Sequence, residues 1–190
     1  MDHAMHGGRT RWWIFAIVLA AVSIGGVFVP DTVFRMDDLS PELQSQLNKA
    51  DIAWMITATA LVMLMTPGLS FFYGGMVRKK NVISTMTQSV IAMGLVSVLW
   101  VVVGFSLSFG DSIGGFVGDP RTFFMFRNVG GSPVGIDGFR LTIPLALFAL
   151  FQLKFAIITP ALFTGSFAER VHFSGYLIFM VLFSIFIYSP

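Results

Sequence analysis

Two phenylalanines and a lysine within one apolar stretch are the residues whose types and spacing best suit chemistry. Phe151 and Phe155 lie four residues apart, so in a helix they share one face, and Lys154 lies between them. The face of an aromatic ring attracts a cation, by roughly 0.5–2 kcal/mol per contact. Two rings on one helix face therefore provide two neighbouring surfaces that attract a cation.

The sequence offers no convergent set of residues for catalysis. It contains no cysteine, which excludes disulfides, thiol catalysis and Cys-ligated metals. Two of its histidines, His3 and His6, lie near the start of the chain, and His172 lies in a polar turn. We find no metal-ligand spacing, no phosphate loop and no set of acid, base and nucleophile. The sequence therefore predicts a protein that is not an enzyme and that needs no cofactor or metal.

The composition indicates which elements must position the two rings. Hydrophobic residues make up 55% of the 190 residues and charged residues 12%, whereas soluble domains carry about 25% charged residues. Several apolar runs reach the roughly 20 residues that a membrane helix needs. The net charge is only +2, and the positive residues lie at helix ends, so no nucleic-acid partner is expected. We predict an all-α integral membrane protein, a polytopic helical bundle in the lipid bilayer.

Charge at the helix ends predicts the topology. The apolar runs predict four membrane helices, at about 52–77, 82–109, 141–168 and 173–189. Arg78, Lys79 and Lys80 follow the first helix and form the strongest positive cluster in the chain. Because cytoplasmic loops are enriched in Lys and Arg, this loop is predicted to be cytoplasmic. The N-terminus of the domain at 52–190 is therefore expected outside the cell membrane.

The N-terminal region has two interpretations. Residues 1–30 combine a cationic start, with Arg9 and Arg11, and an apolar run at 12–30. That order fits a signal peptide, but the run is also long enough for a membrane anchor. The segment 31–51 is polar and is predicted to be an external linker, in which "DLSPELQSQLN" predicts a short amphipathic helix.

Small and kink-forming residues in the helices predict close packing. Pro67 would break a soluble helix, but neighbouring helices in a membrane bundle can bond the freed carbonyl. Ser70 and Gly74 are four residues apart, and Ala161 and Gly165 repeat that spacing. Pairs of small residues at this spacing let another backbone come close. Both pairs therefore predict tight helix contacts.

The polar residues within the helices favour structural roles. Gln152, Thr159 and Thr164 are predicted to form hydrogen bonds between helices. Trp54 and Trp100 lie near predicted outer helix ends and fit the interfacial aromatic belt.

Lys154 has two interpretations, since an ionisable residue at membrane depth usually faces the bundle interior or a polar cavity. It either borders a pathway and pairs with an acidic group elsewhere, or it is a structural residue at a subunit contact or one that snorkels. The structural interpretation is favoured. Glu169 and Arg170 are predicted to form a cytoplasmic ion pair or a helix cap.

Two long motifs resemble one family of membrane proteins. The stretch 51–110, with its core "TPGLSFFYGGMVRKKN", resembles the first two helices of the ammonium transporter family (Amt/Mep, related to Rhesus proteins). "FQLKFAIITPALFTGSFAERVHFSGYLIF" at 151–179 resembles the third and fourth helices of the same family, in the same order and at the same spacing.

This resemblance implies a fold, a substrate and a site. The fold is an eleven-helix bundle of two inverted five-helix halves, assembled as a homotrimer. The substrate is ammonium or ammonia, and a PII-type protein is an expected regulator. Phe151 and Phe155 match the family's two stacked gate rings, and Lys154 beside them is a candidate pore-adjacent residue.

The resemblance also implies that part of the machinery lies outside this sequence. The family's pore histidines, vestibule tryptophan and vestibule serine belong to segments that would follow Pro190, so we expect this chain to be the front part of a transporter. An ammonium sensor is the main alternative, with a transporter-like membrane domain coupled to a cytoplasmic signalling domain. A structural membrane subunit is a third.

Overall fold

The computed structural model describes residues 39–133, 136 and 141–190. The predicted signal peptide or anchor at 1–30, with its two histidines, lies outside the described residues, as does the first part of the linker predicted at 31–51. The described residues form apolar helices joined by shorter turns and one longer loop.

Seven α-helices occur among the described residues. In chain order they are α1 Pro41–Gln46, α2 Lys49–Met76, α3 Val82–Leu99, α4 Phe105–Phe109, α5 Leu145–Ala161, α6 Thr164–Phe167 and α7 Phe173–Phe183. A π-helical turn, Trp100–Gly104, joins α3 to α4, and a second, Ser184–Tyr188, follows α7. A 3₁₀ turn at Lys79–Asn81 connects α2 to α3.

Three helical segments are long and apolar enough to cross a membrane: Lys49–Met76, Lys79–Phe109 and Leu145–Phe167. A fourth apolar segment, Phe173–Tyr188, is shorter. The first segment continues as one helix through Pro67. These lengths agree with the predicted all-helical membrane bundle.

The third membrane helix begins later than the apolar run alone predicts. The run at 141–168 predicts a helix from residue 141, but α5 starts at Leu145. Pro144 precedes it with non-helical backbone angles, φ −57° and ψ 139°. Because a proline disfavours the helical conformation of the residue before it, the helix does not extend back over Ile143.

Polar side chains cap the first two helices. In α1, which lies where the linker sequence predicts a short helix, the Ser40 hydroxyl accepts a hydrogen bond from the Leu43 amide at 3.5 Å. The Asn48 side chain caps α2 by accepting from the Ala50 amide at 2.9 Å. Both contacts satisfy amides that have no partner inside their own helix.

The buried core lies where α3, α5 and α7 meet, and Trp100 is part of it. Its indole is 3% exposed, and its Nε1 donates to the Ala149 carbonyl at 3.1 Å. Phe105 and Tyr188 contact the same ring edge-on. The prediction that Trp100 belongs to an interfacial belt is therefore wrong, because the indole N–H bonds to a buried carbonyl and not at a membrane surface. Trp54, in contrast, is 69% exposed.

Helices α2 and α3 approach closely at the predicted pair of small residues. Ser70 Oγ donates to the Met86 carbonyl of α3 at 3.2 Å. A methyl group added at Gly74 would lie 3.0 Å from Met86 Cγ, which is tighter than ordinary van der Waals contact. The predicted close contact at Ser70 and Gly74 is confirmed.

An aromatic ring packs against Gly165 of the second small-residue pair, Ala161 and Gly165. Tyr73 of α2 lies against Gly165, where any added Cβ would overlap the ring. The Tyr73 hydroxyl then donates to the Leu162 carbonyl at 2.7 Å. This contact joins the last turns of α2 to the segment between α5 and α6.

A loop at the end of the bundle away from the turn at Lys79–Asn81 is anchored on α4. It begins with a two-stranded antiparallel hairpin, β1 Ser112–Ile113 and β2 Val117–Gly118. The buried Ser106 hydroxyl accepts a hydrogen bond from the Phe123 amide at 3.0 Å. The part of this loop around Phe123 is therefore held against α4.

Replacing Gly165 by alanine should destabilise the protein by about 1–3 kcal/mol, since the new methyl group displaces the Tyr73 ring. The measurement is thermal unfolding of the full-length protein in detergent. Gly75→Ala is the matched control, because no described atom lies within 4 Å of its added Cβ. In a Tyr73→Ala background the cost of Gly165→Ala should largely disappear; an unchanged cost would show that the ring is not what the methyl group meets.

Candidate functional site

Phe151 and Phe155 form the aromatic pair that the sequence predicts. Both lie on α5, and their ring centroids are 5.1 Å apart with the planes at 69°. This edge-to-face geometry is the favoured one for two aromatic rings. Each residue is half-buried among the described residues. The pair is therefore partly covered and partly accessible.

The aromatic pair lies on the side of α5 opposite to many of its buried residues. These include Ala149, Leu153 and Pro160. At about 100° per residue, Phe151 and Phe155 lie about 160° and 200° around the helix from Leu153. Neither ring belongs to the buried cluster or to the side chains packed against it. Ile158, about 20° around the helix from Phe151, is nevertheless buried, so the rings border the packed part of α5.

Lys154 borders this aromatic face without lying on it. It is about 60° around the helix from Phe151 and about 100° from Phe155, and it is half-buried. Within the described part of the chain, no carboxylate lies within ion-pair distance of its ammonium group. Its placement fits both interpretations of the sequence, a pathway residue and a structural one.

Trp100 and Tyr188 form a second aromatic group, which the sequence does not predict. Tyr188 contacts Trp100 with ring centroids 6.1 Å apart, and both residues belong to π-helical turns. A cavity of about 10 Å³ lies beside them, lined in part by Ala156 and Ser184. No apolar pattern in the sequence indicates a π turn, so this aromatic group could not be predicted from the sequence.

Thr164 makes the predicted contact between helical segments, whereas Thr159 bonds within its own helix. Thr164 Oγ1 lies 3.1 Å from the Tyr176 hydroxyl of α7, and both groups are buried. Thr159 donates to the Phe155 carbonyl at 2.8 Å, four residues earlier in α5. The predicted bond between helices is therefore confirmed at Thr164, and the Thr159 bond is intrahelical.

A loop clasp, formed by Arg78, Asn81 and Glu169, closes the end of the bundle that carries the basic cluster. Glu169 Oε1 accepts from the Asn81 side-chain amide at 2.7 Å and from the Arg78 backbone amide at 3.1 Å. Arg78 Nε lies 3.7 Å from the other carboxylate oxygen. The sequence predicts that Glu169 and Arg170 form an ion pair or a helix cap. An ion pair between these two residues is wrong, because the Glu169 carboxylate bonds to the loop between α2 and α3.

These hydrogen bonds change the acidity of Glu169. The Asn81 side chain, followed by the Arg78 amide, lowers the pKa of the Glu169 carboxyl from its ordinary value of 4.5, because both donors favour the ionised form. A lowered pKa means that the carboxylate stabilises the clasp above about pH 4.5. That contribution is lost as the pH falls through the lowered pKa.

Replacing Glu169 by alanine should accelerate hydrogen exchange of the Arg78 amide, because the carboxylate that accepts its proton is removed. Glu169→Gln keeps a neutral acceptor and should have a smaller effect. Hydrogen exchange of the full-length protein, read by mass spectrometry, measures both. The matched control is Glu42→Ala, in exposed α1. Equal exchange in all three variants at neutral pH would contradict the clasp.

Comparison with known proteins identifies relatives over most of the chain. The family model described as Ammonium Transporter Family matches residues 53–190. An ammonium transporter of Mycobacterium tuberculosis is 45% identical over 151 residues, 74% of this chain and 32% of its own length. One from Aquifex aeolicus is 39% identical over 150 residues, 77% of this chain and 34% of its own.

Solved structures show the same fold. The crystal structure of Candida albicans Mep2 matches with a TM-score of 0.69 and 30% sequence identity, over 82% of this chain and 33% of that one. The structure of Saccharomyces cerevisiae Mep2 matches with a TM-score of 0.66 and 34% identity. The present chain spans about a third of the length of the curated relatives that it matches.

Proposed function

This chain belongs to the ammonium transporter family, a family of multi-pass membrane proteins and not of enzymes, and we propose that the whole protein moves ammonium or ammonia across the cell membrane. The observation that supports this most directly is the half-buried aromatic pair on α5. Helices contributed by the rest of the protein would complete the pathway against that pair.

We assign the aromatic pair, Phe151 and Phe155, the role of a gate. Ring faces attract a cation, so the pair gathers ammonium at the entrance of an apolar path. The same rings exclude water from that path. Because α5 buries its opposite face in the core, the rings keep their position while substrate passes.

Solvation decides what crosses such a path. A bare cation in an apolar pore costs on the order of tens of kcal/mol, and a titratable group neutralises instead. Desolvation lowers the pKa of an ammonium nitrogen, so ammonium can give up its proton and cross as a small neutral amine, with the proton following separately or staying behind. Potassium has no proton to lose and is therefore rejected.

The basic cluster sets the orientation in this proposal. Arg78, Lys79 and Lys80 are exposed at one end of the bundle, which the positive-inside rule assigns to the cytoplasm. The loop at 110–133 then faces outward, and the N-terminus of α2 is external.

The exposed surface of α2 supports assembly with further protein. Trp54, Leu61, Leu64 and Phe72 are each more than half exposed, so this helix needs lipid or other protein around it. A homotrimer would cover part of this surface, and a PII-type regulator would act from the cytoplasmic end.

The test is ammonium-driven flux in lipid vesicles that contain the full-length protein. We expect saturable ammonium uptake and no potassium uptake. Phe151→Ala and Phe155→Ala should each lower uptake by about two- to thirtyfold, from the loss of one ring–cation contact. Phe116→Ala is the control, since Phe116 is 77% exposed in the hairpin loop. Ammonium binding without flux would favour the sensor instead.

Lys154→Met should leave uptake by the full-length protein nearly intact, because the structural interpretation gives its charge no part in the pathway. Methionine matches the length and volume of the lysine stem. The measurement is the same vesicle flux, with trimer assembly checked by gel filtration. Loss of uptake in a normally assembled trimer would instead make Lys154 a pathway residue.

A further inference from the structure

Hydrogen bonds from other parts of the chain hold the first turns of α5, the helix that carries the aromatic pair. Two carbonyls of the preceding loop accept from the Leu145 and Ala146 amides, at 2.9 and 3.0 Å. The indole Nε1 of Trp100 donates to the Ala149 carbonyl at 3.1 Å. Trp100 is the first residue of the π turn that follows α3, so this third bond joins α5 to another helical segment and not to a loop.

The packing of the Trp100 ring fixes the direction of its N–H. Three aromatic rings contact the buried indole edge-on, with centroids 5.9, 6.3 and 6.1 Å away, and they belong to Phe105, Phe109 and Tyr188. A Cβ added at Gly104 would lie 3.0 Å from the indole Cε3, so the indole lies against the backbone of its own π turn. A ring held on several sides is not free to turn its N–H toward another acceptor.

The bonded carbonyl lies close to the aromatic pair along α5 but on another side of the helix. Ala149 precedes Phe151 by two residues, or about 3 Å along the axis at 1.5 Å per residue. At about 100° per residue, Phe151 and Phe155 lie about 200° and 240° around the helix from Ala149. The Trp100 bond therefore holds the backbone that carries the rings without occupying the space in front of them.

We propose that Trp100 is a positioning residue for the aromatic pair. Its indole N–H, bonded to the Ala149 carbonyl, fixes the position of α5 along its axis and with it the depth at which Phe151 and Phe155 face the pathway. This inference rests on the proposed function, because the pathway gives the depth of the rings its importance. Trp100 acts through the α5 backbone and does not touch the substrate.

The cost of breaking this bond keeps α5 in place. A carbonyl oxygen has two lone pairs, so Ala149 can accept from the indole and still accept from the amide four residues later in its own helix. The indole nitrogen is a donor only. Movement of α5 along its axis would leave this N–H buried without an acceptor, which costs more than the bond itself contributes. Both rings move with the α5 backbone, so one bond to that backbone positions both.

Fluorine NMR of the full-length protein in detergent tests the positioning directly and needs no transport. Fluorophenylalanine replaces Phe151, and in the same protein benzothienylalanine replaces Trp100 at a separately suppressed codon. This analogue keeps the shape of the indole but has sulfur in place of the N–H. We expect the fluorine resonance at Phe151 to shift or broaden when the N–H is lost. Trp100→Phe, which also removes the donor, should change it in the same way. An unchanged resonance in both Trp100 variants would overturn the proposal.

Vesicle flux tests the consequence for transport. With benzothienylalanine in place of Trp100, we expect the ammonium concentration for half-maximal uptake to rise about two- to tenfold, since one buried hydrogen bond is lost. If the parent protein transports and this concentration does not change, the positioning role is wrong. If the parent protein shows no ammonium flux, the proposed function fails, and the fluorine resonance alone decides whether Trp100 positions the rings.

Thr164→Val is the matched control, because it removes another buried contact between helical segments, that of Thr164 with the Tyr176 hydroxyl. It should lower thermal stability and leave both the Phe151 resonance and the half-maximal concentration unchanged. Fluorophenylalanine at Phe116, which is 77% exposed, should keep its resonance in every variant. Equal changes in Thr164→Val and in the Trp100 variants would show that any lost helix contact moves the rings, which contradicts a specific role of Trp100.

Discussion

The absence of water in the hydrocarbon region governs this structure, because a polar group buried there is costly unless it bonds to another group of the protein. The Trp100 indole N–H meets this need at the Ala149 carbonyl, 3.1 Å away in another helix. The Tyr73 hydroxyl meets it at the Leu162 carbonyl. Both bonds join helices that are distant in sequence, so each satisfied polar group also fixes a helix position.

Small residues make those bonds geometrically possible. The Tyr73 ring reaches Leu162 only because Gly165 leaves room for it, and Ser70 reaches Met86 because Gly74 lets α2 and α3 approach. In a membrane the apolar faces gain little by meeting one another, since lipid tails are equally apolar. Close fit and hydrogen bonds then decide which helices pack, and the placement of glycine controls both.

The sequence predicts the membrane helices well, because an apolar run of bilayer length and a charged end are local signals. It also predicts the Phe151–Phe155 pair, since four-residue spacing on a helix fixes a shared face. It fails at Trp100 and at Glu169. Their partners, Ala149 and the loop that contains Asn81, are distant in the chain, and no local pattern identifies them. The π turns likewise depend on tertiary contacts and not on propensity.

The core packing and the aromatic pair use different residues of α5. Leu153 and Ala156 are buried in the core, while Phe151 and Phe155 are half-buried and lie outside the buried cluster. We therefore expect a change to either ring to remove less of the core packing than a change to Leu153. Thr159 also bears on the aromatic pair, because its hydroxyl donates to the Phe155 carbonyl within α5. That bond adds a side-chain contact to the stretch of backbone from which the Phe155 ring extends.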